Sequence, residues 1–220
     1  MHGGCKGGGN IRQGVTSKGK RNVRYKGVTR DEIKELAMEL FLTKGYHGTS
    51  TAEICQELGI SKPTLYWHFK NKEDVLFYAH QDLTQRLLIP ILDRMKEIGD
   101  PLERLRYFIH EYLTVISKYP VLRLLVHENM FLKPEHSEWI TGHWKYLLKL
   151  LRESLRELTE RGRAKHLNDA FTALNLIGMC TWAYYWFDYS RPEGVDGLIK
   201  TVEEIFLRGI LEYTKDLRRS

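Results

Sequence analysis

Between Lys62 and Lys72 the chain reads Lys-Pro-Thr-Leu-Tyr-Trp-His-Phe-Lys-Asn-Lys. Three lysines, two hydroxyls, an imidazole and three further rings lie within eleven residues, with no carboxylate among them. Such a set lacks the paired acid and base of a hydrolytic site. It suits a polyanion, because ammonium and hydroxyl tips reach phosphate while flat apolar bodies lie against base edges and thymine methyls. The nine histidines offer the competing chemistry. His110-Glu111 and His127-Glu128 are adjacent pairs, and neighbours on a helix do not face each other. His136 and His143 fall two turns apart, too far to share a metal by themselves. No H-E-x-x-H, G-x-S-x-G or glycine-rich phosphate loop is present. The residues therefore predict no catalytic site, no metal and no cofactor.

The elements that must hold the Lys62–Lys72 segment are legible from caps and periodicity. Ile33, Leu36, Ala37, Leu40 and Phe41 recur at helical spacing, and Gly45 closes that helix. Ser50-Thr51-Ala52-Glu53 has the form of a capping box opening a second helix, with Ile54 and Leu58 inward and Gly59 at its end. Ser61 caps a third, short helix, and Pro63 is tolerated in its first turn because no amide partner is lost there. Two short helices joined by a tight glycine turn make a helix-turn-helix. At about 100° per residue, Leu65 and Phe69 point into a small core. Pro63 and Trp67 face the opposite way, flanked by Thr64 and His68. Lys62 projects from the N-terminus, and Tyr66 lies at the edge of the buried face.

The rest of the chain also predicts helices. One runs from Lys72 to Ile98 with a bend at Pro90, and the next from Pro101 to about Lys118. A shorter one covers Pro120 to Phe131, and a long amphipathic one Glu135 to about Arg161. A nearly apolar helix spans Asn168 to about Tyr189. Residues 190–194 break the chain before a last helix over Val195–Leu217. The apolar stretch Phe171–Phe187 is read as a buried helix rather than a membrane span, since it contains Asn175 and several Tyr and Trp. Three scattered cysteines give neither a disulfide framework nor a zinc site, and Cys55 and Cys180 read as small buried hydrophobes in a reducing cytoplasm.

Charge is unevenly placed. Met1–Val28 carries seven basic residues and no acid, whereas the whole chain carries +6, so the remaining body is nearly neutral. Rich in glycine, this tail is expected to be disordered in isolation. It is a solubilising leader, an upstream start that the cell does not use, or an arm that adds phosphate contacts. No secretory leader is predicted.

Thr29–Leu76 resembles the N-terminal DNA-binding domain of the TetR family of transcriptional regulators. The resemblance is carried by Gly45-Tyr46, Thr49-Ser50-Thr51, Ile54, Leu58-Gly59-Ile60-Ser61 and the whole run Lys62–Lys72. It implies an all-α protein in which a three-helix DNA-binding domain, residues 29–76, joins a larger ligand-binding and dimerisation domain, residues 77–220. It places Lys62, Pro63 and Tyr66 against bases or groove walls. It places Thr51, Thr64, Trp67, His68 and Lys72 at phosphates. Ala52 stands where some members have a long basic side chain, which puts a base contact from that helix in doubt.

The same resemblance implies a two-fold dimer through the last two helices, with Ile205 and Phe206 at the interface, on a palindromic operator of double-stranded DNA. It also implies a small-molecule effector. Tyr107, His110, Trp139, His143, Asn175 and Trp182 are the candidates for a ligand pocket. The C-terminal residues from Trp186 to Ile210 look like a branch whose ligands are often acyl-CoA thioesters. The expected function is a ligand-responsive repressor. The alternatives are a drug-efflux repressor with an aromatic-lined pocket and an architectural DNA binder that uses the basic tail.

Overall fold

The computed structural model describes residues 27–119, 121–122, 125, 132–186 and 194–212, the side chains of 184–186 excepted. All but the last two residues of the basic tail lie outside these, as do most of the helix expected over Pro120–Phe131 and residues 190–193 of the break expected at 190–194.

Helix α1 (Arg30–Lys44) opens on a full capping box. Thr29 Oγ1 accepts from Glu32 N–H at 3.1 Å, and Glu32 accepts from Thr29 N–H at 2.7 Å. The Thr-x-x-Glu spacing was there to be read one helix earlier than the box expected at Ser50. Gly45 ends α1 at φ 80°, a backbone that favours glycine. At Gly48 a Cβ would lie 2.4 Å from the Lys44 carbonyl oxygen, so the loop into α2 (Thr51–Leu58) closes only with glycine there. Ser50 caps α2 through Glu53 N–H at 3.1 Å. The Glu53 carboxylate meets the Lys44 ammonium, so the expected box is drawn into a tie between α1 and α2.

Gly59, left-handed at φ 64°, turns the chain towards α3 (Lys62–His68). Ser61 Oγ caps α3 by accepting from Thr64 N–H at 3.2 Å. Asn71 then caps α4 (Lys72–Leu83), accepting from Asp74 N–H at 2.8 Å. The single helix expected over Lys72–Ile98 is three segments. After α4 comes one π turn, Thr84–Leu88, then α5 (Ile89–Glu97). Pro90 has no N–H to give and its ring crowds the carbonyl four residues back. The wider turn immediately before it takes up that mismatch, with Ile89 N–H reaching Thr84. The expected irregularity therefore falls just upstream of Pro90.

Helix α6 (Pro101–Lys118) is capped by Asp100, whose Oδ1 accepts from Leu102 and Glu103 N–H. It is followed by α7 (Pro134–Glu160), α8 (Asp169–Trp186) and α9 (Gly194–Ile210). Helix α9 ends at Ile210, and residues 213–217 of the helix expected over Val195–Leu217 lie outside those described. Leu211 pairs with Ala164 in an isolated antiparallel bridge, and Glu212 N–H reaches the Arg163 carbonyl at 3.1 Å.

Two apolar cores result. The first is built on Ile33, Phe41, Ile54, Leu65, Phe69 and Val75, and it also takes in Leu125, Leu132 and Ile140 from the second half of the chain. The second packs α6, α7, α8 and α9 around Phe108, Leu113, Leu147, Leu151 and Cys180. Both described cysteines are buried, as expected of small hydrophobes. Among the described residues no helix is long and apolar enough to cross a membrane.

Candidate nucleic-acid interface and ligand cavity

The inward residues of α3 are Leu65, with no exposure, and Phe69, with 2%. Burying each contributes about 1.5–3 kcal/mol, and that fixes the helix's rotation. The outward face follows from it. Lys62, Pro63, Tyr66 and Trp67 are exposed, and Thr64 and His68 are half-buried beside them. Trp67, 82% exposed, is the most exposed large apolar residue described, and its ring meets the His68 ring edge-on at 4.6 Å. Such an apolar surface is unsupported by the fold itself. Thr51 and Ala52 lie in the first turn of α2, half-buried and exposed respectively. Arg30 closes the back of the domain, stacking its guanidinium over Phe69 and Tyr78.

Lys72 stands apart from this face. Its Nζ donates to the carbonyl oxygens of Tyr46 and Thr49 at 2.6 and 2.9 Å and lies 4.1 Å from the Tyr46 ring centroid. The lysine expected to hold phosphate therefore ties α4 to the α1–α2 loop. Charged donors to loop carbonyls make strong hydrogen bonds.

A second polar joint links α4 to α7. Glu73 Oε1 meets His136 Nδ1 at 2.5 Å, and the Lys133 ammonium lies 3.2 Å from Glu73 Oε2 and 3.7 Å from Asp74. The His136 ring stacks on Phe77 with centroids 3.8 Å apart. Burial works against the Glu73 carboxylate, but His136 and Lys133 outweigh it and hold the carboxyl below its ordinary value. Glu73, Asp74 and His136 bring one potential metal-ligand atom each within 4.8 Å of the others. The Lys133 ammonium already meets this negative charge. No local spacing announces the joint, because its halves lie on helices far apart in sequence.

An apolar cavity of ≈130 Å³ opens among α4, the π turn, α5, α6 and α7. His80 and Leu83 from α4, Ile91 from α5, Tyr112 and Ile116 from α6, and Ile140 and Trp144 from α7 form much of its wall. None of the six residues expected in a pocket lines it. Tyr107 and His110 lie on other faces of α6, out of phase with Tyr112. His110 does touch its neighbour Glu111, at 3.1 Å, but in solvent. Trp139 packs edge-on against Phe77, and His143 Nδ1 meets the Trp139 carbonyl at 2.9 Å. Asn175 and Trp182 sit on the outward face of α8.

Burial also divides the two residues expected at a dimer interface. Phe171, Leu174 and Trp182 on α8 are half to two-thirds exposed, and Ile205 on α9 is 61% exposed. Phe206, at 6%, belongs to the protomer's own core. Adjacent residues on a helix point about 100° apart, so Ile205 and Phe206 cannot share one face.

A three-helix head with an aromatic and lysine face, carried on a helical body, matches known families along most of its length. Residues 33–79 match the model of bacterial regulatory proteins of the tetR family, and residues 98–210 match that of the tetracyclin repressor-like C-terminal domain. The chain belongs to the TetR family of transcriptional regulators. Among its relatives is the HTH-type transcriptional activator FasR of Mycolicibacterium smegmatis, 24% identical over 173 residues and 78% of each chain. PfmR, a TetR family regulator from Thermus thermophilus, superposes with a TM-score of 0.72 at 28% identity, over 81% of this chain and 98% of its own. AibR, solved with isovaleryl coenzyme A and operator DNA, superposes at 0.70 with 25% identity, over 81% and 98%.

Proposed function

We propose that this TetR-family protein is a dimeric repressor that binds a palindromic operator through α3 and leaves it when a small apolar effector enters the cavity. The carrying observation is the placement of α4. Its N-cap, Asn71, follows α3 after two residues, and its other end supplies His80 and Leu83 to the cavity wall. Any ligand that changes the packing around His80 acts on the helix that bears the DNA-binding head. The exposed apolar stripe of α8 and Ile205 on α9 supports a two-fold dimer, and two-fold sites need two-fold proteins. A DNA-bound role places the protein in the cytoplasm.

Acyl-CoA thioesters are the first effector class to test, supported by the isovaleryl coenzyme A bound to AibR and by the relative named as a fatty acid metabolism regulator of Bacillus subtilis. The size of the cavity, ≈130 Å³, favours a short or branched acyl group over a long chain. The test is calorimetry with and without operator. A ligand shifts the balance only by its difference in affinity for the two shapes, typically about 1–3 kcal/mol. DNA must then weaken ligand binding by the same factor. Equal affinity in both states removes that compound as an effector.

A further inference from the structure

A second concavity, an open groove of ≈570 Å³, lies between α1 and the end of α4, with Tyr119 and Val121 beside them. Much of its lining is apolar and comes from Leu36, Met38, Leu42, Leu58 and Leu83. Leu42 is 48% exposed, unusual for a leucine on a helix whose other large apolar residues are mostly buried. The α1 side is also acidic. Glu32, Glu35, Glu39 and Leu42 are spaced three or four residues apart, so they share one exposed helix face. Two cations line the groove, and both are already engaged. Lys34 lies 2.8 Å from Asp82, and Arg86 lies 2.7 Å from the same carboxylate. Glu32 is taken up by the Thr29 cap. Neither Glu35 nor Glu39 has an ion pair among the described residues.

The chain itself supplies a complementary segment. Residues 18–26 read Lys-Gly-Lys-Arg-Asn-Val-Arg-Tyr-Lys, with five cations, no acid and two large apolar side chains, Val23 and Tyr25. This segment leads directly into α1, where Val28 packs on the first core and Thr29 caps the helix. Nine extended residues reach up to about 30 Å. The stretch of α1 from Glu32 to Leu42 is about 15 Å long, so the segment can double back along it. A tethered segment also meets its site at an effective concentration of order millimolar, which makes contacts count that a separate peptide could not hold.

We propose that residues 18–26 dock in this groove of their own chain when no DNA is bound. Their cations meet Glu35 and Glu39, and Val23 and Tyr25 lie against Leu36, Leu42 and Leu58. Docked there, the five positive charges are withheld from phosphate, so the acidic groove and DNA compete for one arm. The ionic part of the contact is exposed and therefore weakened by salt.

Limited trypsin digestion of the full chain, read by mass spectrometry, tests this. Arg12 and Arg24 both lie in the tail, but only Arg24 belongs to the docking segment. Cleavage follows the fraction of time that a site is open. In Glu35→Gln/Glu39→Gln, cleavage after Arg24 at low salt should be roughly tenfold faster than in wild type, with the rate at Arg12 unchanged. Raising salt to about 0.5 M should bring the wild-type rate at Arg24, relative to Arg12, towards that of the variant. Both substituted residues are exposed on α1, so the fold is not disturbed. A second readout uses wild type alone. Carbodiimide coupling should join Lys18, Lys20 or Lys26 to Glu35 or Glu39. In a mixture of ¹⁵N-labelled and unlabelled chains brought to subunit exchange, these links should join residues of like isotope. An Arg24 rate unchanged by the substitutions, as expected of an arm that serves DNA alone, overturns the proposal. So does a wild type without these links. Links of mixed isotope overturn it too, and give the groove to the arm of a second copy.

Discussion

The ammonium of Lys72 lies 2.6 Å from the carbonyl oxygen of Tyr46 and 4.1 Å from the centre of its ring. One residue thus pins the first turn of α4 to the loop that ends α1. Lys72→Ala should lower the stability of the head by about 1–3 kcal/mol, the range for a hydrogen bond from a charged donor. Denaturant unfolding followed by circular dichroism measures this. The salt dependence of operator binding should stay close to that of wild type, since the ammonium is engaged by two loop carbonyls. Undiminished stability together with a shallower salt slope would restore the phosphate role.

Lys62 and Tyr66 are exposed on α3, and neither makes a hydrogen bond that holds the fold together among those described. Lys62→Ala should therefore leave stability near that of wild type. It should change which operator base pairs are preferred, with a loss of roughly 1–3 kcal/mol at the affected position. Binding to a library of randomised operators reads the change. A uniform loss on all sequences would make Lys62 a phosphate contact.

Ile205 and Phe206 separate the exposed face of α9 from the core. Ile205→Glu should give a folded monomer by sedimentation, with operator binding lost, because a charge enters an apolar contact between protomers. Phe206→Ala should instead cost about 3–5 kcal/mol of protomer stability. A dimeric Ile205→Glu protein would place the interface away from α9.

His80 also makes stability depend on pH. Its folded-state value, about 4, lies below the ordinary 6.5, so the unfolded chain binds the extra proton between these values. The neutral ring's contribution is complete above about pH 6.5 and is lost as pH falls towards 4. The difference corresponds to about 3 kcal/mol. Glu73 and Asp82, both lowered from their ordinary values by cationic partners that outweigh burial, lose stability at still lower pH. His80→Leu should flatten the wild-type curve between pH 6.5 and 4 and leave the more acidic limb intact. Parallel curves for the two proteins would mean that the ring is charged when buried.

Local signals carried the head of the molecule and no further. Ser50, Gly59 and Ser61 each act within four residues of their own position, so caps, turn and recognition helix could be read in order along the chain. Rotation of α3 was legible too, because Leu65 and Phe69 are the two large apolar residues one turn apart. The pocket was misplaced for the opposite reason. Tyr107 and Tyr112 are equally plausible by composition, and only the packing of α6 on α7 selects Tyr112 and Trp144 for the cavity.

The sequence by itself determined the helical class, the family and the outward face of α3, since these rest on periodicity, capping and residue order. Tertiary structure alone decided that Lys72 braces a loop, that Phe206 is core while Ile205 is surface, and that His80 stands buried with one nitrogen unpaired among the described residues. Each of those depends on which distant residue comes to lie beside the side chain. Tyr46, α6 and Leu125 reach their places only when separate helices dock, and that docking is set by the joint packing of many side chains rather than by any spacing along one of them.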